Sequence, residues 1–196
     1  MKTENINSNK GNLISDLCLV SPKIFQDSRG YFYESWNKNL FNKAIDREIN
    51  FVQDNQSNSL KGVIRGMHYQ INPYPQGKLV KCLKGKIYDV AVDLRESSKT
   101  FGEWAGVYLS EENKKQIWIP EGFAHGFLAM SNVADVFYKT NNFWEKDFER
   151  CIKWNDKEIG IKWPINNLNL SYPLISNKDE NALTFEEAIS KSEIFR

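Results

Sequence analysis

From Lys86 to Leu94 the chain alternates: Tyr88, Val90, Val92 and Leu94 fall on one side, and Ile87, Asp89, Ala91 and Asp93 on the other. A period of two predicts a strand. The same pattern recurs over Trp104–Leu109, Gln116–Ile119, Phe123–Met130 and Ala134–Thr140. Turn residues separate these runs at Lys84-Gly85, at Pro120-Glu121-Gly122 and at Ser131-Asn132. Strands spaced about ten residues apart favour a sandwich or barrel over alternating strand–helix units. Helix is scarce. Asn37 is a suitable cap for a helix to Ile45, with Leu40, Phe41, Ala44 and Ile45 on one face. A second helix is predicted near Thr184–Ser190, with Glu186 and Glu187 in its first turn. Residues 150–196 are irregular and rich in asparagine, and carry Trp154, Trp163 and Pro164; a wrap over the sheets is expected there. Residues 1–12, rich in Asn, Lys and Ser, read as a flexible segment.

Length and composition narrow the picture. With 196 residues and no internal repeat, a single domain over 1–196 is expected. Twenty-six basic against twenty-five acidic residues give no electrostatic case for nucleic acid or an anionic membrane as a partner. No run approaches the length of a membrane span. Residues 1–12 lack the apolar stretch of a secretory signal, and Cys18, Cys82 and Cys151 lie far apart, so reduced thiols and a cytoplasmic location are expected.

Candidate chemistry is concentrated around the only two histidines, in Arg65-Gly66-Met67-His68-Tyr69-Gln70 and Gly122-Phe123-Ala124-His125-Gly126-Phe127. A histidine on a strand is usually structural. Here His125 shares a face with Phe123 and Phe127, which aims it inward, and the flanking glycines leave room for something to approach. A barrel interior is a natural ligand cavity. The two histidines are far apart in sequence, with neither paired ligand spacing nor a nearby cysteine, so no metal is expected. The hydrolase elbow, the phosphate-binding loop and the dinucleotide fingerprint are absent. Lys78 shares a face with Val80 and Cys82, and Tyr138 with Ala134 and Val136; either could snorkel or sit satisfied in a core. Arg65 and His68 have opposite parity, so both reach one cavity only if the strand bulges, and Gly66 lies between them.

Taken together these segments resemble the dTDP-4-dehydrorhamnose 3,5-epimerase family. The match runs in order through Asp27–Glu34, Gln53–Ser57, Gly62–Gln70, Gln76–Val80, Asp89–Asp93, Trp118–Phe127, Tyr138-Lys139, Trp154–Asp156 and Ser176–Asp179. It implies an all-β, cupin-type jelly roll of two packed antiparallel sheets with a few short helices. It also implies an enzyme without cofactor, acting on a nucleotide-linked 4-keto-6-deoxy-hexose. A C4 ketone acidifies the hydrogens at C3 and C5, so inversion needs a base, a stabiliser for the enolate oxygen and an acid across the ring.

Carried over by position, the catalytic set is His68 as base with Asp179 as its partner, Lys78 as oxyanion stabiliser and Tyr138 as acid. Histidine suits the first role because its ordinary pKa, roughly 6.5, leaves a base available near neutral pH. The resemblance further assigns Arg29 and Arg65 to the diphosphate, and Glu34, Gln53, Asn55, His125, Glu149 and Lys178 to nucleotide and sugar contacts. It implies a homodimer in which Arg29 and Glu34 act across the interface. Two features depart from the family pattern. Asn141–Lys146 stands where relatives usually carry a tyrosine-bearing, proline-containing segment, and Met67 replaces a leucine. An enzyme inverting only C3 or C5, a ketoisomerase and a silent sugar-binding cupin are the alternative readings.

Overall fold

The computed structural model describes residues 1–196. Thirteen strands follow in chain order: β1 Lys2–Asn7, β2 Leu13–Ser21, β3 Phe25–Asp27, β4 Gly30–Phe32, β5 Gln53–Leu60, β6 Ile64–Gln70, β7 Lys78–Lys84, β8 Lys86–Asp93, β9 Trp104–Ser110, β10 Gln116–Ile119, β11 Phe123–Ala129, β12 Val133–Thr140 and β13 Glu149–Cys151. Three helices accompany them: α1 Lys38–Ile45, α2 Asn177–Glu180 and α3 Phe185–Ser190. One sheet has six strands in the order β1-β2-β10-β7-β12-β5, and a second has five in the order β13-β6-β11-β8-β9. Strands β3 and β4 form a separate hairpin. All strand pairs are antiparallel. The architecture is the expected all-β pair of packed antiparallel sheets.

The alternation read from the sequence decides what lies between the sheets. Val80 and Cys82 of β7, Ile117 and Ile119 of β10, and Ala134 and Val136 of β12 meet Ile87 and Ala91 of β8 and Phe123, Phe127 and Ala129 of β11. The intervening residues are buried too. Val90 and Val92 of β8, with Leu94 just past its end, pack outward against Ile152, Ile159, Phe185, Ala188 and Ile194. Residues 150–196 therefore cover the outer face of the five-stranded sheet, stitched to the rest of the chain by the parallel bridges Val63↔Leu174 and Arg95↔Phe195. The outer face of the other sheet, with Val20, Leu79 and Trp118, is covered by Phe41 and Ile49.

Local signals set the helices. The Asn37 side chain accepts the Leu40 N–H at the start of α1. Phe41 is fully buried there, whereas Leu40 stays exposed, so the apolar face is narrower than expected. Thr184 caps α3 in a reciprocal box with Glu187.

One expectation is overturned. Residues 1–12 are not loose: β1 pairs along β2 from Lys2↔Ser21 to Asn7↔Leu13. Ser8 is buried and its hydroxyl donates to Glu103 at 2.5 Å, while Asn12 donates to the same carboxylate. An edge strand exposes both faces, so it carries no hydrophobic pattern to read. No helix is long and apolar enough to cross a membrane.

Candidate active site

Strands β6 and β11 pair the two histidines directly, His125↔His68. The next registered pair is Phe127↔Arg65, so three steps along β6 face two along β11. This is the bulge that the parity of Arg65 and His68 requires, and it falls at Gly66. Gly66 has φ of +130°, and a Cβ there would lie 2.5 Å from the Gly126 Cα and 2.8 Å from the His125 carbonyl. Only glycine fits where the two backbones come so close. The bulge lets both Arg65 and His68 line one cavity of about 240 Å³ together with Lys78, His125, Tyr138 and Glu149.

His68 is held from behind. Its Nε2 lies 2.7 Å from Asp179 Oδ1. The other carboxylate oxygen accepts the Gly66 N–H at 3.1 Å. Asp179 is buried in the first turn of α2, whose N-cap Ser176 accepts the Asp179 N–H. Burial alone would raise the Asp179 pKa, but the bonds from His68 and Gly66 and the charge of Lys178 outweigh it and hold the carboxyl below its usual range. An ionised Asp179 accepts the Nε2–H, which leaves Nδ1 as the basic nitrogen, without a protein partner.

Lys78 opens β7 with its side chain inward, and its Nζ donates to the His68 carbonyl at 3.2 Å. Burial pulls its pKa from 10.5 down to about 8, against the opposing pull of Glu149 and Asp89. Tyr138 sits on β12 between Val80 of β7 and Asn55 of β5. Burial and the Glu149 carboxylate push its phenol above the ordinary range, with Arg65 pulling the other way. The phenol is therefore a protonated donor at neutral pH. His125 Nε2 lies 2.9 Å from Asp89 Oδ2. Asp89 is fully buried and its other oxygen has no partner. Burial raises its pKa, and His125 and Lys78 offset part of that rise.

The remaining expected residues divide into two groups. Arg65 donates to Ser59 Oγ at 3.0 Å and to the Asn58 carbonyl at 3.1 Å. Glu149 lines the cavity, and Lys178 pairs with it at 2.5 Å. Gln53 and Asn55 lie on the face of β5 that bears the cavity residue Ser57, and Gln53 Nε2 donates to Asn55 Oδ1 at 2.8 Å. Arg29 and Glu34 are not brought to this cavity. Arg29 sits in the β3–β4 turn, 87% exposed and paired with Asp27 at 2.6 Å, and Glu34 accepts from Asn37 at 3.2 Å.

Several contributors were not foreseen from sequence. Asp89 behind His125 could have been found from its inward parity. Gln70, Gln76, Ser57 and Trp144 also line the cavity. Gln70 binds the Glu145 N–H and the Phe143 carbonyl, Gln76 the Asn142 carbonyl, and Gln53 the Trp144 N–H. The segment that departs from the family pattern is thereby pinned to the rim. The expectation that no cysteine lies near a histidine is also corrected. Cys151 is the registered partner of His68 across β13 and β6, and its Sγ lies 3.8 Å from Asp179 Oδ1. Burial and the Asp179 charge push its thiol pKa up. His68, Cys151 and Asp179 thus form a group of three donors capable of holding a metal ion.

A family model described as dTDP-4-dehydrorhamnose 3,5-epimerase matches residues 12–187. A Shigella flexneri protein of that name is 55% identical over 175 residues, covering 89% of this chain and 94% of that one. A Pseudomonas aeruginosa protein of the same name is 50% identical over the same shares. The crystal structure of a dTDP-6-deoxy-D-glucose-3,5-epimerase from Legionella pneumophila, in complex with dTDP-4-keto-L-rhamnose, superposes with a TM-score of 0.89. It is 42% identical and covers 99% of this chain and 98% of that one.

Proposed function

The chain belongs to the dTDP-4-dehydrorhamnose 3,5-epimerase family, and on that premise we propose that it inverts C3 and C5 of dTDP-4-dehydro-6-deoxy-D-glucose to give dTDP-4-dehydro-L-rhamnose. The observation that carries the reading is one cavity lined by an imidazole backed by a buried carboxylate, a buried ammonium and a protonated phenol. Proton abstraction beside a ketone needs these three functions and no redox group.

In this reading His68 Nδ1 takes the proton from the carbon next to the ketone. The electron pair moves into the C–C bond and onto the C4 oxygen. Asp179 holds the ring orientation and stabilises the imidazolium that forms. The ammonium of Lys78 stabilises the enolate oxygen in a site shielded from water. Tyr138 delivers a proton to the opposite face of that carbon; its phenolate is then reprotonated from solvent and the His68 imidazolium releases its proton to solvent, which resets both groups. An enolate carbon is basic enough to take a proton from a phenol. His125, fixed by Asp89, adds a second donor on the same wall. Arg65 serves the diphosphate through its fork of N–H groups, and Gln53, Asn55, Glu149 and Lys178 complete the substrate contacts. Arg29 and Glu34, remote from this cavity, are read as completing the cavity of a second copy. Exposed Phe25, Tyr31 and Phe32 on the same hairpin favour a partner there.

Incubation with dTDP-4-dehydro-6-deoxy-D-glucose in D₂O tests the reading. Deuterium at both C3 and C5 of the product supports double inversion. Deuterium at one position assigns a single-position epimerase, and none refutes proton transfer altogether.

A further inference from the structure

Cys151 has no part in the proton transfers above, yet it lies against the carboxylate that orients the base. Its Sγ is 3.8 Å from Asp179 Oδ1, the same oxygen that lies 2.7 Å from His68 Nε2. All three donor atoms are within 4.8 Å of one another. They come from three elements, β6, β13 and α2, so the fold and not local spacing assembles them. Nitrogen, thiolate sulfur and carboxylate oxygen are the donors that zinc prefers, at about 2.0–2.3 Å. Around a tetrahedral ion such bonds put donors roughly 3.4–3.7 Å apart. The sulfur–oxygen contact, at 3.8 Å, is within about 0.1 Å of that range, and the nitrogen–oxygen contact must open by about 0.7 Å. The second Asp179 oxygen stays anchored on the Gly66 N–H, which fixes the carboxylate as outer partners do for metal ligands. The His68 side chain, 31% exposed, leaves a way in from the cavity.

We propose that His68, Cys151 and Asp179 form an inhibitory binding site for a soft divalent cation of the zinc type. The cation bonds to His68 Nε2, Cys151 Sγ and Asp179 Oδ1, with a water as fourth ligand. On binding, the thiol proton leaves to solvent. The imidazole proton moves from Nε2, now bonded to the metal, to Nδ1. The nitrogen facing the cavity then carries a proton and cannot accept one from substrate. Inhibition therefore rests on the reading of His68 as the base, whereas binding does not.

Co²⁺ serves as a coloured probe for binding, and Zn²⁺ for inhibition, both added to chelator-treated full-length protein. Wild type is expected to bind one equivalent of Co²⁺ with a thiolate-to-cobalt charge-transfer band and tetrahedral d–d bands, and to lose at least tenfold in turnover when saturated with Zn²⁺. Cys151→Ala is expected to keep metal-free turnover within about threefold, to lose the charge-transfer band and to resist Zn²⁺ at concentrations that silence wild type. Chelator should restore wild-type activity. Absence of the band in wild type, or its persistence in Cys151→Ala, overturns the site. A band that saturates without loss of turnover overturns the inhibition and, with it, Nδ1 of His68 as the base, while leaving the binding site standing.

Discussion

Replacing Lys78 by methionine should slow catalysis sharply and stabilise the protein. The ammonium is buried and its pKa falls from 10.5 to about 8, with burial as the leading cause. A fall of roughly 2.5 units means that the folded state disfavours the charge by about 3 kcal/mol, at about 1.4 kcal/mol per unit. The sign follows from proton counts. Between pH 8 and 10.5 the unfolded chain holds a proton at this site that the folded chain has lost, so wild-type stability rises with pH across that window. Methionine is similar in length and removes the charge. Against that gain stands the lost bond from Nζ to the His68 carbonyl, worth about 1 kcal/mol. A net gain of about 2 kcal/mol at pH 7 is expected from these two terms. The gain should fall above pH 8, vanish near pH 10 and reverse to a loss of about 1 kcal/mol by pH 10.5, where only the missing bond remains. Urea unfolding followed by tryptophan fluorescence, at one protein concentration and at pH 7 and 9.5, measures both. Turnover should drop by about 10²–10³, the usual effect of removing one oxyanion donor. A variant less stable than wild type at pH 7, or a stability gap that ignores pH, would refute the account of Lys78 as a disfavoured charge retained for chemistry.

Three further outcomes are expected. Tyr138→Phe keeps the base but removes the acid, so solvent deuterium exchange into substrate should outlast net inversion; a variant that inverts at the wild-type rate assigns the acid to another group or to water. His68→Asn should lose turnover by at least about 10²-fold, more than Asp179→Asn, because the general base itself is gone. The double variant should be little worse than His68→Asn alone, since the pair acts as a unit; circular dichroism and kcat on the same samples separate loss of fold from loss of function. Gly66→Ala forces a Cβ to within 2.5 Å of the Gly126 Cα at a φ of +130°, against backbone that no rotamer change can move. It should destabilise by about 2 kcal/mol or more in urea unfolding, the range of overpacking and left-handed strain, and wild-type stability would show that the bulge tolerates a side chain.

Much of this site was legible because it is built on period-two strands. Inward parity alone puts Lys78 with Val80, Tyr138 with Val136 and His125 with Phe123, and the structure keeps each pairing. Parity also identified its own exception, since Arg65 and His68 share a cavity only through a bulge at Gly66. The failures have a common cause. Whatever depends on which strands become neighbours leaves no local signal. Strand β1 is an edge whose polar residues gain only backbone bonds, so its sequence looks like a tail. Both faces of β8 are buried because residues 150–196 fold over it, and an asparagine-rich stretch gives no period to announce that cover.

The same blindness explains the metal donors. Cys151 and His68 are far apart in the chain and look unrelated, so ligand-spacing rules pass them over. Strand β13, only three residues long, brings them into register. Asp179 reaches them from α2 through a serine cap that any helix start could carry. A proton-transfer dyad and a soft-metal site want similar things: an imidazole held by a carboxylate in a place shielded from water. A thiol beside such a dyad supplies the third donor. At the proposed site, susceptibility to zinc is a consequence of the arrangement that makes His68 a base, and Cys151 is the one residue that decides whether the proton or the metal holds it.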